Sequence, residues 1–222
     1  MALTKTCLVL TGVTRPSSSR VLKNIKETIK AVDKHNADVF VMTYKTPEAE
    51  ELSSLVASDP SLEFIVHQIE VFKDPPGGYD GKNYMMFRMI EMLIEKIPNF
   101  DSYDCIVRHR LDCSLESIQI PDKLKEKALY AAPGLSQKCF DNICLARPFE
   151  FKSIFNTNTA EVIDAGCPHE ALERAADLNK YDVVPFNFKQ ALYQSNEDFV
   201  LGAPQWSKRD RVFEYKDGWL QH

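Results

Sequence analysis

The sequence contains no long apolar run. Nowhere in its 222 residues do about eighteen apolar positions follow one another, as a membrane-spanning helix requires. The first residues, MALTKTCLVLTG, turn polar too soon for a secretory signal peptide. These absences predict a protein without a membrane span, and we expect it to be soluble and cytoplasmic.

Positive charge is not in excess either. The net charge is −5 and the isoelectric point is about 5.6. A chain of this balance has no overall basic field to attract nucleic acid or another polyanion. It can still hold one small anionic ligand with a few arginines.

Two kinds of short motif are missing. No C-x-x-C pair occurs among the six cysteines, and Cys7, Cys105 and Cys144 lie inside strand-like runs, which predicts reduced, buried thiols rather than zinc ligands or disulfides. Neither G-x-G-x-x-G nor G-x-x-x-x-G-K-[ST] is present, which argues against a nicotinamide-dependent dehydrogenase and a P-loop kinase. The chain also has no internal repeat, low-complexity segment or clear linker, so one α/β domain over 1–222 is the simplest prediction.

The first half of the chain alternates strand and helix patterns. Such β-α repeats predict parallel strands joined by right-handed crossovers. The predicted strands are Lys5–Thr11, Ala37–Thr43 and Leu62–Val71, and the predicted helices are Arg20–His35, Pro47–Ala57 and Tyr84–Ile97. Between the last strand and the last helix, Lys73–Asn83 is rich in glycine and proline and predicts a mobile loop near a site.

The second half is less regular. Its predicted strands are Leu129–Ala132, Ile143–Ala146 and Asp182–Phe186, and its predicted helices are Pro148–Phe155 and Pro168–Leu178. A polar and aromatic tail follows from Asn196.

One stretch, Tyr103–Cys113, links the two halves. It begins as a buried strand and then places Arg108, Arg110 and Asp112 at every second position, on one face. Charges there are costly to desolvate, and the end of a central strand is where open α/β sheets bind ligands. The group either holds a divalent ion with a diphosphate or forms an internal ion pair that closes the strand. The spacing leaves both open.

Other polar residues are candidates for a functional site only because of where they lie in the chain. Arg15 follows the first strand and would share a rim with Asp112 if strands one and four are neighbours; otherwise it is a solvent-facing arginine. His169 and Glu170 open a predicted helix, where a carboxylate ordinarily stabilises the first turn but could also be a base or a metal group. Asp141, ahead of the strand NICLA, could be a simple turn residue.

Four segments, in order along the chain, together resemble GT-A-like nucleotide-sugar glycosyltransferases that carry R-x-R-x-D in place of Asp-x-Asp. They are LVLTGVTRP with ADVFVMTYK, then YDCIVRHRLDC, then FDNICLARPFEFKSIFN, and finally PHEALERAADLNKYDV. The resemblance implies a single GT-A-like, Rossmann-like domain with a central, mostly parallel sheet flanked by helices. Residues 1–113 would form the nucleotide-binding half, and 114–222 the acceptor-side half and tail.

The same resemblance implies an activity and a set of site residues. The enzyme would be a hexosyl- or pentosyltransferase of glycan biosynthesis that moves a sugar from a nucleotide-diphosphate donor to a hydroxyl of a glycan acceptor. Its donor-binding residues would be Gly12, Arg15, Arg108, Arg110 and Asp112. Its catalytic carboxylates would be Asp141 and Glu170, and Asp112 and His169 would hold Mn²⁺ or Mg²⁺. Only one acidic residue stands where Asp-x-Asp has two, so arginines could neutralise the leaving diphosphate without a cation.

Two other functions compete with this one. A nucleotidyltransferase would need a glycine-rich loop after the first strand, where Gly12 stands alone. A non-catalytic carbohydrate- or protein-binding module could keep the fold and use tail aromatics, which can stack on sugars or anchor packing. Those aromatics are Tyr193, Trp206, Tyr215 and Trp219.

Overall fold

The computed structural model describes residues 5–15, 17–32, 37–77, 81–131, 141–192, 211–216 and 219–221. Strands and helices alternate along its first half, as predicted. The strands are β1 Thr6–Gly12, β2 Ala37–Tyr44, β3 Val66–Ile69, β4 Cys105–Arg110, β5 Cys113–Ile118, β6 Ala128–Ala131, β7 Ile143–Ala146, β8 Asp182–Val184, β9 Phe188–Leu192, β10 Arg211–Lys216 and β11 Trp219–Gln221. The helices are α1 Ser18–Val32, α2 Pro47–Ala57, α3 Lys82–Ile94, α4 Pro148–Phe155, α5 Ala160–Ile163 and α6 Pro168–Leu178.

Seven strands form one large sheet in the order β3-β2-β1-β4-β7-β6-β8. Only β7 is antiparallel to its neighbours, so the predicted mostly parallel sheet is confirmed. β1 and β4 are parallel neighbours, the arrangement on which a shared rim for Arg15 and Asp112 depended. β6, β7 and β8 come from the second half of the chain, so both halves build this sheet.

Alternating side chains of the central strands pack into two cores, one on each face. Cys7 and Val9 of β1 lie in the core under α3, α4 and α6, while Leu8 and Leu10 lie in the core under α1 and α2. The period-two geometry of a strand accounts for this division. In β4, Ile106 belongs to the α3 and α6 side, so Arg108 and Arg110 continue along that face.

The central strand β4 stops at Arg110, and Asp112 lies just past its end, in a turn with Leu111 that leads into β5. β5 then leaves the large sheet and joins a second one in the order β11-β10-β9-β5, which the sequence did not predict. Its neighbour β9 follows about 70 residues later, and pairing over that distance leaves no local pattern.

Several other bounds differ from those predicted. The predicted strand over 62–71 is hydrogen-bonded only over 66–69, and Ile65 is 72% exposed. α3 begins at Lys82, inside the segment predicted as a loop, directly after Gly81, which has a positive φ. β8 ends at Val184 rather than at residue 186.

Three further predictions from the sequence concern the cysteine thiols, the aromatic residues of the tail and membrane-spanning helices. Cys7, Cys105, Cys113 and Cys144 are free and buried, as expected for three of them. Tyr193 and Trp206 lie outside the described residues; Tyr215 and Trp219 belong to β10 and β11. No helix among the described residues has the length and apolar character needed to cross a membrane.

Candidate active site

Most predicted site residues meet at the carboxyl-terminal edge of the large sheet. β1 and β4 are parallel, so the loops that follow them, with Arg15 and Asp112, reach the same edge. β7 runs antiparallel to β4, so Asp141, which precedes it, also reaches that edge. There the backbone carbonyl of Asn142 accepts a hydrogen bond from the Arg110 amide at 3.1 Å.

Buried polar residues of α1 fix the turn that carries Asp112. Asn24 Nδ2 donates to the carbonyl of Leu111 at 3.1 Å. One helical turn later, the Thr28 hydroxyl accepts the Leu115 amide at 3.1 Å. Neither residue was among the predicted site residues. Their signal was an i, i+4 polar pair on the apolar face of a predicted helix.

Two guanidinium groups enclose the carboxylate of Asp112. Arg15 donates to Oδ2 from Nε at 3.2 Å and from Nη2 at 3.0 Å. Arg110 donates to Oδ2 from Nη2 at 2.6 Å and to Oδ1 from Nε at 2.8 Å. The loop that carries Arg15 is fixed by a 3.0 Å hydrogen bond between the hydroxyls of Thr14 and Thr43. Both carboxylate oxygens are therefore occupied by arginine.

This arrangement keeps Asp112 and Arg110 charged. Burial alone would raise the pKa of Asp112, whose side chain is 3% exposed, but Arg110 and then Arg15 outweigh burial and hold that pKa well below its usual value. Burial also opposes the charge of Arg110, and the Asp112 carboxylate overcomes it and raises the pKa of Arg110. An ion pair therefore does close the central strand.

Arg108 has a different environment. It is buried, and its Nε and Nη1 have no hydrogen-bond partner in the part of the chain that the structure describes. Burial lowers the pKa of Arg108, against the opposing charge of Asp141. A buried guanidinium with unsatisfied donors is costly, so an anion that entered here would supply the missing acceptor.

Asp141 is buried and is contacted by His169 and Arg110. His169 Nδ1 lies 2.5 Å from Asp141 Oδ1, and Arg110 Nη1 lies 3.9 Å from Oδ2. His169 Nδ1 is also 2.9 Å from the Asp141 amide, but one nitrogen cannot donate to the carboxylate and accept from the amide together. The shorter contact requires a proton between the two atoms. Burial would raise the pKa of Asp141, but the contact with His169 and the charges of Arg110 and Arg108 together outweigh burial and lower that pKa.

Glu170 lies in the first turn of α6, and its described contacts are local. Its Oε2 accepts the amide of Gly166 at 2.7 Å, and its Oε1 pairs with Arg174. The Gly166 amide, followed by Arg174, lowers the pKa of Glu170. These contacts connect the start of α6 to the preceding loop.

A cleft of about 390 Å³ joins these groups. Its charged wall comes from the ends of β1 and β4, and its apolar wall comes from methionines of α3. Tyr44 and Lys82 also line the cleft and were not among the predicted site residues. Tyr44 ends β2 and Lys82 begins α3, so only the packing of α3 over the sheet edge brings them there. The predicted site residues that line the cleft are Gly12, Arg15, Arg108, Arg110, Asp112 and Asp141.

The described residues of the cleft do not fit a divalent cation. Such an ion needs the carboxylate oxygens of Asp112, which instead accept four guanidinium N–H groups. Asp141 is engaged by His169 and Arg110. Within the described residues, no group of three or more His, Cys, Asp or Glu side chains could hold a metal ion.

Comparison with proteins of known structure identifies the fold of this chain. No protein-family model and no curated protein of similar sequence matches the chain. A variant of Drosophila β-1,4-galactosyltransferase 7, in complex with manganese, UDP-Gal and xylobiose, matches with a TM-score of 0.50 and 11% identity over 82% of this chain and 64% of that one. The bifunctional glycosyltransferase WbbM matches with a TM-score of 0.50 and 14% identity over 82% of this chain and 38% of that one.

The galactosyltransferase LgtC, in complex with donor and acceptor sugar analogues, matches with a TM-score of 0.48 and 10% identity, over 81% of this chain and 72% of that one. With the sheet order described above, the two matches at 0.50 establish that the chain has the GT-A glycosyltransferase fold. The chain spans less than two thirds of the length of those two proteins.

Proposed function

We propose that this protein is a glycosyltransferase that moves a hexosyl or pentosyl group from a nucleotide-diphosphate sugar to a hydroxyl of a glycan acceptor. The observation that carries the proposal is the cleft at the carboxyl edge of β1 and β4, where three arginines and two aspartates converge on a GT-A fold. Open α/β sheets bind their ligands at this edge.

The charge of the cleft suits a diphosphate. Arg15, Arg108 and Arg110 face two carboxylates, Asp112 and Asp141, so the five side chains carry a net charge of about +1. Guanidinium groups form planar, paired hydrogen bonds with phosphate oxygens. Arg108 is the best placed of the three, because two of its donors have no described partner.

The reaction needs this positive charge in its transition state. The acceptor oxygen forms a bond to the anomeric carbon while the bond from that carbon to the phosphate oxygen breaks, and the electron pair of the broken bond leaves with the nucleoside diphosphate. Donors fixed in advance where that negative charge develops lower the barrier without reorganisation. Arg108 and Arg110 fill this role in the proposal.

A carboxylate would receive the proton of the acceptor hydroxyl if the configuration inverts. Asp141 lies in the cleft, whereas Glu170 is engaged by Gly166 and Arg174 in its own helix turn. The placement of Asp141 supports it over Glu170. Because its pKa is held low, Asp141 also suits the stabilisation of positive charge on the sugar ring.

Donor binding is the first test. Thermal unfolding would be followed with UDP, GDP, CDP and ADP and with their common sugars. We expect one nucleotide to raise the midpoint by several degrees, because a ligand at about 100 times its Kd adds about 2.7 kcal/mol to the free energy of unfolding. If no nucleotide shifts the midpoint, the transferase proposal fails. A shift without sugar transfer from a radiolabelled donor would instead indicate a binding module.

The two candidate carboxylates are tested by their amides. With the donor identified, Asp141→Asn should lower the transfer rate at least about 100-fold, as loss of a general base or a charge stabiliser does. Glu170→Gln serves as the matched control and should keep most of the rate. Near-normal rates in Asp141→Asn would contradict its role. Melting curves of both variants would show whether each remains folded.

A further inference from the structure

We infer that this site neutralises the leaving diphosphate with arginine alone and needs no divalent cation, Arg108 being the side chain that bonds the phosphate directly. The inference rests on the proposed function. It concerns the same cleft and departs from the Mn²⁺ or Mg²⁺ that the sequence resemblance implied for Asp112 and His169.

The state of Asp112 is the first observation. Its carboxylate accepts four N–H groups from Arg15 and Arg110, at 2.6 to 3.2 Å. A cation bound to either oxygen would lie within a few ångströms of two guanidinium charges. Both arginines would have to leave Oδ2, or Arg110 would have to leave Oδ1, before a metal could replace them on this buried carboxylate. Asp112 therefore orients the arginines and is not available as a metal ligand.

Arg108 supplies the second, independent observation. Its side chain is 3% exposed, lines the cleft, and has two nitrogens, Nε and Nη1, without a hydrogen-bond partner among the described residues. Nε and Nη1 lie on two different edges of the planar guanidinium, so they need separate acceptor oxygens, and the several oxygens of a diphosphate can supply them. The cleft therefore contains a buried cation whose missing partner is an anion.

The strand geometry explains how the two groups act together. Arg108 and Arg110 are two residues apart on one face of β4, so both project toward the α3 side of the sheet. Arg110 is fixed by Asp112, by Asn142 Oδ1 at 3.1 Å and by Asp141 at 3.9 Å. It forms a rigid positive border beside Arg108. This places fixed cationic charge on the wall of the cleft in which the diphosphate of the proposed donor would lie.

The test is isothermal titration calorimetry of UDP, GDP, CDP and ADP into the full chain, once in EDTA and once in Mn²⁺. Inorganic pyrophosphate in EDTA serves as the base-independent probe. We expect one nucleotide to bind with nearly the same Kd in both conditions, and pyrophosphate to bind as well. Electron paramagnetic resonance of Mn²⁺ titrated with protein alone should show no bound ion.

Arg108→Met tests the assigned side chain, and Arg88→Met is the control, since Arg88 lies outside the cleft and pairs with Glu91 on α3. Loss of a charge-assisted hydrogen-bond pair should weaken binding of nucleotide and pyrophosphate in EDTA about 10- to 100-fold. Arg88→Met should bind as the wild type does. Unchanged affinity in Arg108→Met would overturn its role.

The remaining outcomes separate this inference from the proposed function. If a nucleotide binds only with Mn²⁺, the arginine mechanism is wrong and the transferase proposal stands. If neither a nucleotide nor pyrophosphate binds under either condition, both are wrong. Binding that is equal in EDTA and Mn²⁺ and is weakened by Arg108→Met supports both.

Discussion

Arg15 donates two hydrogen bonds to Asp112, a residue 97 positions later in the chain. The contact joins the loop after β1 to the turn after β4 across the carboxyl edge of the sheet. It connects stability and function, because the same carboxylate also fixes Arg110. Variants of this pair should therefore alter both.

A double-mutant cycle measures this contact. Asp112→Asn should lower the free energy of unfolding by roughly 3 kcal/mol, because it leaves two arginines facing a neutral group. Arg15→Met should cost about 1 kcal/mol, since 41% of the Arg15 side chain is exposed and water screens its charge. In urea unfolding, the double variant should lose less free energy of unfolding than the sum of the losses of the two single variants. Simple additivity would contradict a direct coupling.

The exposed Asp122 provides a matched control for this cycle. Asp122→Asn removes the same charge from the surface and should change the free energy of unfolding by no more than about 0.5 kcal/mol.

Arg108→Met should make the free protein more stable. A buried guanidinium with two unsatisfied nitrogens is replaced by an apolar chain of similar length, which removes a penalty of about 1 to 3 kcal/mol for the unsatisfied buried group. Urea unfolding without ligand measures the change. A large loss of stability would show that Arg108 has a structural partner and would count against an anion site.

His109 should make stability depend on pH. It is fully buried on the other face of β4, its Nε2 lies 3.1 Å from Gln190 Oε1, and burial lowers its pKa to about 3. In the unfolded chain, this histidine binds a proton near pH 6.5. The contribution of neutral, buried His109 to the free energy of unfolding is therefore complete above about pH 6.5 and is lost as pH falls toward the folded pKa. Between these two pKa values, the free energy of unfolding should fall by roughly 1.4 kcal/mol for each unit by which the pH is lowered.

Urea unfolding between about pH 7 and pH 4 measures that slope, and His109→Gln should flatten it. His67 provides a comparison, because burial, with Lys96, also lowers its pKa, but from a more exposed position. His67→Gln should therefore flatten the slope less. Equal slopes in the wild type and His109→Gln would contradict a neutral, buried His109.

Gly12→Ala should strain the edge of the site. Gly12 ends β1 with φ +141°, a value that residues with a side chain rarely adopt. An added Cβ would lie 3.6 Å from the Leu111 amide nitrogen, an ordinary contact, so the cost is backbone strain of about 1 to 3 kcal/mol. Melting curves and nucleotide titration should show lower stability and weaker binding. An unchanged midpoint would show that the loop adapts.

The sequence was sufficient where the pattern is local. Buried runs such as Thr6–Gly12 and Ile143–Ala146 identified strands, and apolar spacing identified α1 and α3. The alternation after Val107 identified Arg108 and Arg110 as neighbours on one face. Local periodicity and turn formers carry this information, because side-chain direction along a strand or helix is set by residues close in sequence.

Pairings between distant segments were not accessible in this way. The second sheet, the engagement of Asp112 by Arg15, and the entry of Lys82 into the cleft depend on which elements become neighbours. The antiparallel direction of β7 likewise decided that Asp141 would meet Arg110 rather than lie at the far end of the sheet.

The sequence by itself therefore determined most helices and strands of the large sheet, its mostly parallel character and the charged face of its central strand. The tertiary structure alone decided which of those charges are paired and which one, Arg108, lacks a described partner. The physical reason is that desolvation and ion pairing depend on distances between residues far apart in the chain, which no local pattern encodes.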